Sequence, residues 1–304
     1  RPLEEKLTKD DLENTSEDEI INGTEYEFFI EDNIRLGQHS ELNLGYNQLI
    51  INTGKTFFIP QPRVLFSTGS NRYRFKASWG IMGQYLHTLT NSGLGVPVDV
   101  WLPSTDLIEP ESAWIASVGQ TFKFKKLGSF STELFYKDMK NVTRYGNEGL
   151  LDISNESDWE NLVPIGTGRA YGAEFGFNRK TEKTNLQLSY TLSYAFRTFD
   201  EINNGDEFRY RYDRRHVINF GIIHKLNENI ELAANWEFGS GNPTTIDNGQ
   251  SYFYKDEEGN QTLVLVFDEI HNDELPAYHR LDLGVNFYNK YKWGRTKLTL
   301  GLYN

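Results

Sequence analysis

Hydrophobic and polar residues alternate along most of this chain with a period of two. Between Thr184 and Phe199, Leu186, Leu188, Tyr190, Leu192, Tyr194 and Phe196 fall on one side. Asn185, Gln187, Ser189, Thr191, Ser193 and Arg197 fall on the other. That is the period of a β-strand, whose successive side chains point to opposite faces of the sheet. The same alternation recurs from Tyr26 to Ile34, Leu42 to Tyr46, Tyr73 to Ile81, Trp114 to Phe124, Ile230 to Phe238, Leu281 to Phe287 and Leu298 to Leu302. Shorter runs near Val64, Leu134, Phe175 and Phe220 bring the expected total to about twelve strands, most of about 10 residues. No amphipathic helix of ordinary length is readable between them.

The connections alternate in length. Turn-forming stretches lie at 37–40, 68–71, 125–128, 180–183, 227–230 and 289–296, and long connections at 83–112, 140–168, 199–213 and 240–276. One link, at 51–59, reads as intermediate. In a meander, alternate connections share an end of the sheet, so one end carries tight turns and the other long loops. That asymmetry is expected of an outer-membrane β-barrel and much less so of a soluble sandwich. Aromatic residues at strand ends agree: Tyr288, Tyr291 and Trp293 around the last tight turn, Phe122 and Phe124 before another, and Tyr194, Phe196 and Phe199 towards a long loop. Rings of this kind favour the headgroup level of a bilayer. The fold class read from the pattern is therefore all-β, an antiparallel up-and-down transmembrane barrel with its polar face inward.

Composition narrows the choice. Hydrophobic residues make up 38% and aromatics 14%, with a mean hydropathy of -0.59. No stretch approaches the roughly 18 consecutive apolar residues of a transmembrane helix, which excludes a helical membrane protein but not a barrel, whose strands are only about half apolar. The net charge of -12 argues against a nucleic-acid partner, because such binding needs a basic surface. There is no cysteine, so neither a disulfide framework nor a thiolate metal site is available. The opening "RPLEEKLTKDDLENTSEDE" lacks the basic and apolar regions of a signal peptide. A cytosolic protein, a processed precursor and an internal piece of a longer chain all fit it.

Candidate chemistry is sparse. His39, His87, His216, His224, His271 and His279 form no metal-binding spacing, and no nucleophile elbow, Walker loop or dinucleotide fingerprint is present. Neither an enzyme, nor a cofactor, nor a metal centre is expected. Acidic runs near the start, at 254–260 and at 267–274 read as solvated external loops. The segment "QYLHTLTNSGLGVPVDVWLPSTD" (84–106) differs: it is long, rather apolar and carries Tyr85, His87 and Trp101. Structured loops on a rigid scaffold often carry function. These three residues are the candidates for contact with a ligand or for packing on a plug.

An ordered series of segments carries a family resemblance: "NSGLGVPVDVWLPSTDLIEPESAW" (91–114), "YKDMKN" (136–141), "IGTGRAYGAEFGF" (165–177), "LSYTLSYAFRTFDEINNG" (188–205), "YDRRHVINFG" (212–221) and "LPAYHRLDLGVNF" (275–287). Together they resemble the barrel of TonB-dependent outer-membrane receptors of Bacteroidetes type, over nearly the whole chain. The resemblance implies a barrel of about 22 strands closed by a plug. It also implies energised import of a nutrient such as a siderophore, metal chelate or oligomeric nutrient across the outer membrane of a Gram-negative bacterium. The implied partners are outer-membrane lipid, the remainder of the barrel and its plug, TonB acting through the plug, and a surface lipoprotein. No plug, TonB box or final aromatic strand is readable, so residues 1–304 are expected to be one partial barrel domain. Two other readings of the pattern are a self-contained pore of about twelve strands and a β-sheet glycan-binding module.

Overall fold

The computed structural model describes residues 23–89, 100–144, 160, 163–246, 251–255, 261–265 and 269–304. The opening acidic run, residues 90–99 of the candidate loop, residues 256–260 of the second acidic run and residues 267–268 of the third lie outside them. In chain order the strands are β1 (Thr24–Arg35), β2 (Ser40–Asn52), β3 (Thr56–Gly69), β4 (Tyr73–Gln84), β5 (Leu86–Leu89), β6 (Val100–Pro103), β7 (Glu111–Phe124), β8 (Gly128–Thr143), β9 (Ile165–Lys180) and β10 (Thr184–Thr198). There follow β11 (Phe208–Arg209), β12 (His216–Lys225), β13 (Ile230–Gly239), β14 (Pro243–Thr244), β15 (Ser251–Lys255), β16 (Gln261–Leu265), β17 (Asp273–Glu274), β18 (Tyr278–Tyr291) and β19 (Gly294–Leu302). A 3-10 turn lies at Asn203–Gly205. Among the described residues no helix is long and apolar enough to cross a membrane, which says nothing of strands.

One sheet holds 13 strands. Twelve of them run as an antiparallel meander in the order β1-β2-β3-β4-β7-β8-β9-β10-β12-β13-β18-β19, and the short β11 lies beside β10. The remaining strands form small hairpins within the long connections: β5 with β6, β14 with β17, and β15 with β16. The runs near Val64, Leu134, Phe175 and Phe220, short in the sequence pattern, sit in full strands. Connections at 36–39, 70–72, 125–127, 181–183, 226–229 and 292–293 lie at one end, and those at 85–110, 144–164, 199–215 and 240–277 at the other. The link expected to be intermediate is a tight turn at 53–55, at the long-loop end. Glycine is required both by conformation and by space at Gly69, with φ 141°, and Gly128, with φ 113°, where a Cβ would lie 2.2 Å from a carbonyl oxygen of a neighbouring segment.

The register shows which face is which. Tyr73, Phe122, Phe130, Phe177, Leu188, Phe220, Trp236 and Leu281 are paired in succession across eight strands, and every one is apolar or aromatic. The next row, one residue along, is Arg74, Thr121, Ser131, Gly176, Ser189, Asn219, Glu237 and Arg280. The first row begins at the tight-turn end of β4 and ends near the long-loop end of β18. Neighbouring strands are thus staggered in one direction, which is the shear that tilts strands around a barrel. The apolar face is the lipid face and the polar one lines the lumen. Leu134 is 56% and Phe124 52% exposed, which a water-facing wall would not tolerate across so many strands.

Aromatic rings gather on the lipid face towards the long loops. Trp114 and Tyr136 stack at 5.2 Å, Tyr136 and Tyr171 at 6.4 Å, and Tyr171 and Tyr194 at 5.3 Å. Two of the aromatic positions singled out above lie elsewhere. Tyr288 turns to the lumen and donates its hydroxyl to Glu231 Oε1 at 3.1 Å, because it shares the parity of Asn286, which bonds the same carboxylate. Phe199 is buried, 2% exposed, against Phe208 under the loops, since the strand has ended at Thr198 and its alternation no longer applies.

Lysine at Leu188 is expected to cost about 2–4 kcal/mol, and lysine at the adjacent Ser189 much less, because only the first enters hydrocarbon. Unfolding from lipid vesicles measures both. Equal costs would show that neither face meets lipid.

Candidate functional site

The long-loop end carries two built assemblies. The first is the segment after β4. Residues Leu49, Ile51, Phe57 and Ile59, on the lumen parity of β2 and β3, form a buried cluster against which Tyr85 packs. The Tyr85 hydroxyl donates to Glu25 at 3.1 Å. Burial first, and then that carboxylate, hold its phenol above the usual value. β3 pairs with β2 along its whole length but with β4 only from Arg63 to Gly69. Pro60 and Pro62 offer no N–H for further pairing, as expected of a local strand edge, and the hairpin β5–β6 follows the end of β4.

His87 and Trp101 fall on opposite faces of that hairpin. His87 is fully buried, while Trp101, beside Thr88, is 64% exposed. The Ser104 hydroxyl donates to the Tyr85 carbonyl at 3.1 Å and therefore accepts the Nε2–H of His87 at 3.0 Å. His87 Nδ1 lies 3.5 Å from Glu111 Oε1 and makes no hydrogen bond. The order Ser, His, Glu looks like a nucleophile relay, but Ser104 is fully buried and its proton is committed to a backbone carbonyl. The three groups fasten the loop. Thr53 completes the fastening by donating its hydroxyl to the Ser104 carbonyl at 2.5 Å.

The second assembly was not singled out among the sequence candidates. It joins the 199–215 and 240–277 connections around Asp213, whose side chain is fully buried. Its Oδ1 accepts the Ala195 N–H of β10 at 3.0 Å, and its Oδ2 accepts Arg209 Nε at 2.8 Å. Arg215 Nε lies 3.6 Å from the same carboxylate. Arg209 also donates to Glu274 at 2.7 Å, which ties the two connections together. Arg214 Nε donates to Asn242 Oδ1 at 2.9 Å. His271, held at φ 58°, donates Nδ1–H to the Arg209 carbonyl at 2.5 Å and meets the Phe208 ring edge-on at 5.6 Å. Burial, then the guanidinium groups of Arg144, Arg211 and Arg209, push its pKa down to about 4. The signal in the sequence was the "YDRRH" run at 212–216, whose acid and three bases have no obvious place on an alternating strand.

A lipid-facing wall of staggered strands, with loops folded over its lumen face at one end, is matched along residues 8–304 by the family described as TonB dependent receptor-like, beta-barrel. The chain belongs to the TonB-dependent receptor family. Members of this family are outer-membrane proteins of Gram-negative bacteria. No curated protein matches the chain. Among solved structures, the receptor barrel is similar to the ferric-catecholate import receptor Fiu from K12 E. coli, at 14% identity and a TM-score of 0.62 over 93% of this chain and 40% of that one. It is also similar to the copper transporter OprC, at 15% identity and a TM-score of 0.62 over 93% and 41%. The FrpB iron transporter from Neisseria meningitidis matches at 14% identity and a TM-score of 0.57 over 91% and 40%. At these identities the likeness is one of fold, and the chain spans about two fifths of each of these proteins.

Two outcomes follow for the loops of the receptor barrel. Asp213→Ala strips a buried partner from Arg209, a change worth about 3–5 kcal/mol when one member of a buried pair is removed. It should appear as early protease cleavage within 199–215 while the barrel itself stays protected. His271 is neutral when docked, with its pKa at about 4 against 6.5 when released. Between those values the released loop binds the proton and the docked one does not. Docking therefore weakens as pH falls through that window, by up to about 1.4 kcal/mol per pH unit, and is constant above it. Cleavage of the 269–277 segment measured from pH 7 to 4 should show this, and His271→Gln, which keeps an N–H for the Arg209 carbonyl, should flatten it.

Proposed function

We propose that this chain forms part of the wall of an energised outer-membrane importer, of Bacteroidetes type, that takes up a nutrient such as a siderophore, a metal chelate or an oligomeric nutrient. The observation that carries the reading is the combination of a lipid-facing apolar row with loops anchored by buried polar groups over the lumen face. A pore that only sieves solutes needs no such fastening. The printed descriptions of the solved relatives, an import receptor, a copper transporter and an iron transporter, support transport over catalysis, and no role as an enzyme is assigned.

In this reading the remaining wall and a plug complete the barrel, and TonB acts through the plug. Lipid covers the outer face, and a surface lipoprotein sits over the loops. Tyr85, His87 and Trp101 belong to the solute-facing loop. His87 and Tyr85 set its position, and Trp101, exposed on the hairpin, offers its ring to the solute. The eight-strand apolar row speaks against a soluble glycan-binding module, which would bury that face in a core.

Uptake by cells carrying the receptor should vanish when TonB is deleted. Trp101→Ala should raise the solute concentration for half-maximal uptake several-fold without lowering the amount of receptor in the outer membrane. Uptake that continues unchanged without TonB would sink the importer reading in favour of an open pore.

A further inference from the structure

The two ends of the wall carry opposite charge. The tight turns run through "KFKKLG" (123–128), "RKTEK" (179–183) and "KYKWGR" (290–295). At the other end, the connections 85–110, 144–164 and 240–277 hold far more Asp and Glu than Lys and Arg. Every Lys and Arg of the three basic turns is exposed, and among the described residues none of them forms an ion pair. In a chain whose net charge is -12, this end is a local excess of free cations. Tyr291 and Trp293 stack at 5.2 Å within the last of these turns, and such rings favour the headgroup level of a bilayer.

One part of this end offers more than diffuse charge. Arg179 pairs with Leu186, and Leu186 with Ile222, so Arg179 shares the parity of the lipid face. On the next lipid-facing row Thr184 pairs with His224, and its hydroxyl lies 2.8 Å from His224 Nδ1. The Lys225 N–H donates to the Lys183 carbonyl at 2.7 Å, which places both lysines beside that row. From here a groove of about 620 Å³ runs across the apolar face towards β18 and β19. The short side chain of Ala234 falls between Ile222 and Leu283 in one row, and this leaves the recess. His224 brings a polar ring to a lining otherwise made of Ile, Leu, Val, Ala and Gly.

We propose that this corner of the wall binds one anionic phospholipid of the leaflet at the tight-turn end. Arg179, Lys183 and Lys225 hold its phosphate, and an acyl chain lies in the groove. The inference rests on the reading of the apolar row as the lipid face. Charge complementarity selects the lipid, because Lys and Arg at headgroup level attract an anionic headgroup far more than a zwitterionic one. Both residue types suit phosphate, Arg as a fork and Lys as a point charge. Position selects the site, because the cations stand beside the rows that line the groove and one molecule spans both. A bound lipid then joins the turn at 181–183 to the hairpin turn at 226–229 from outside the barrel.

The test uses the full receptor, purified in detergent and returned to phosphatidylcholine vesicles. A trace of phosphatidylglycerol or phosphatidylcholine, spin-labelled on the acyl chain, is added, and electron spin resonance reads the fraction of label held immobile at the protein. At low salt the association constant should be several-fold higher for phosphatidylglycerol, and the preference should shrink as salt screens the charges. Arg179→Gln, Lys183→Gln and Lys225→Gln together should remove most of it. Lys76→Gln, which removes a cation from the lumen face, should leave it unchanged. Ala234→Leu, which fills the recess and alters no charge, should lower it. Equal association of the two lipids, or a preference that survives the triple variant, would overturn the site while the immobile fraction still reports a lipid face. Absence of any immobile fraction would refute the lipid face and the site with it.

Discussion

A backbone N–H or C=O in hydrocarbon has no water to bond, and each one left unpaired costs several kcal/mol. The architecture of this chain follows from that constraint. Every long strand must be bonded on both sides, so consecutive strands pair as an antiparallel meander, and the pairing carries a steady stagger from β4 to β18. One local break, where β3 and β4 part above Arg63 and Gly80, falls where Pro60 and Pro62 have no N–H to leave unpaired. It lies at the long-loop end, where the β5–β6 hairpin begins.

Lipid outside reverses the usual relation between burial and hydrophobicity. The large apolar side chains of this wall are its exposed ones, as at Leu134, Leu188 and Leu283. The deeply buried residues are instead at the loop end, and several are polar: His87, Ser104 and Asp213. Loops cannot rely on a repeating ladder to satisfy their backbone, so side chains do it. Asp213 accepts a strand N–H as well as a guanidinium, and Ser104 accepts from an imidazole while donating to a carbonyl. Each is a polar group that water would otherwise have served, and its burial is tolerable because its bonds are made within the loop end.

Division of labour between wall and loops also separates stability from specificity. The wall depends on pairing and on apolar surface, both of which tolerate exchange of one large hydrophobic residue for another. The loops depend on particular partners at particular distances, as between Arg209 and Glu274 or His271 and the Arg209 carbonyl. The fold of the wall is kept at 14% identity to a solved receptor, which is the expected behaviour of a scaffold that tolerates varied side chains.

The sequence by itself determined the strands, their two faces and the long-loop end, because a period of two and the spacing of turns are local properties that a single chain displays. Tertiary structure alone decided the rest. Tyr288 faces the lumen because its register with Glu231 puts it there, and the link at 53–55 is tight because β2 and β3 extend further than their alternation suggested. Asp213 was visible only as part of a charged run, since its partners come from β10 and from within its own loop, and the connection to Glu274 spans 65 positions. The candidate loop residues were on one segment, yet a hairpin sends His87 inward and Trp101 outward. Contacts between distant loops leave no periodic trace, so only the folded chain brings Thr143, Arg197, Arg211 and His271 around one cavity.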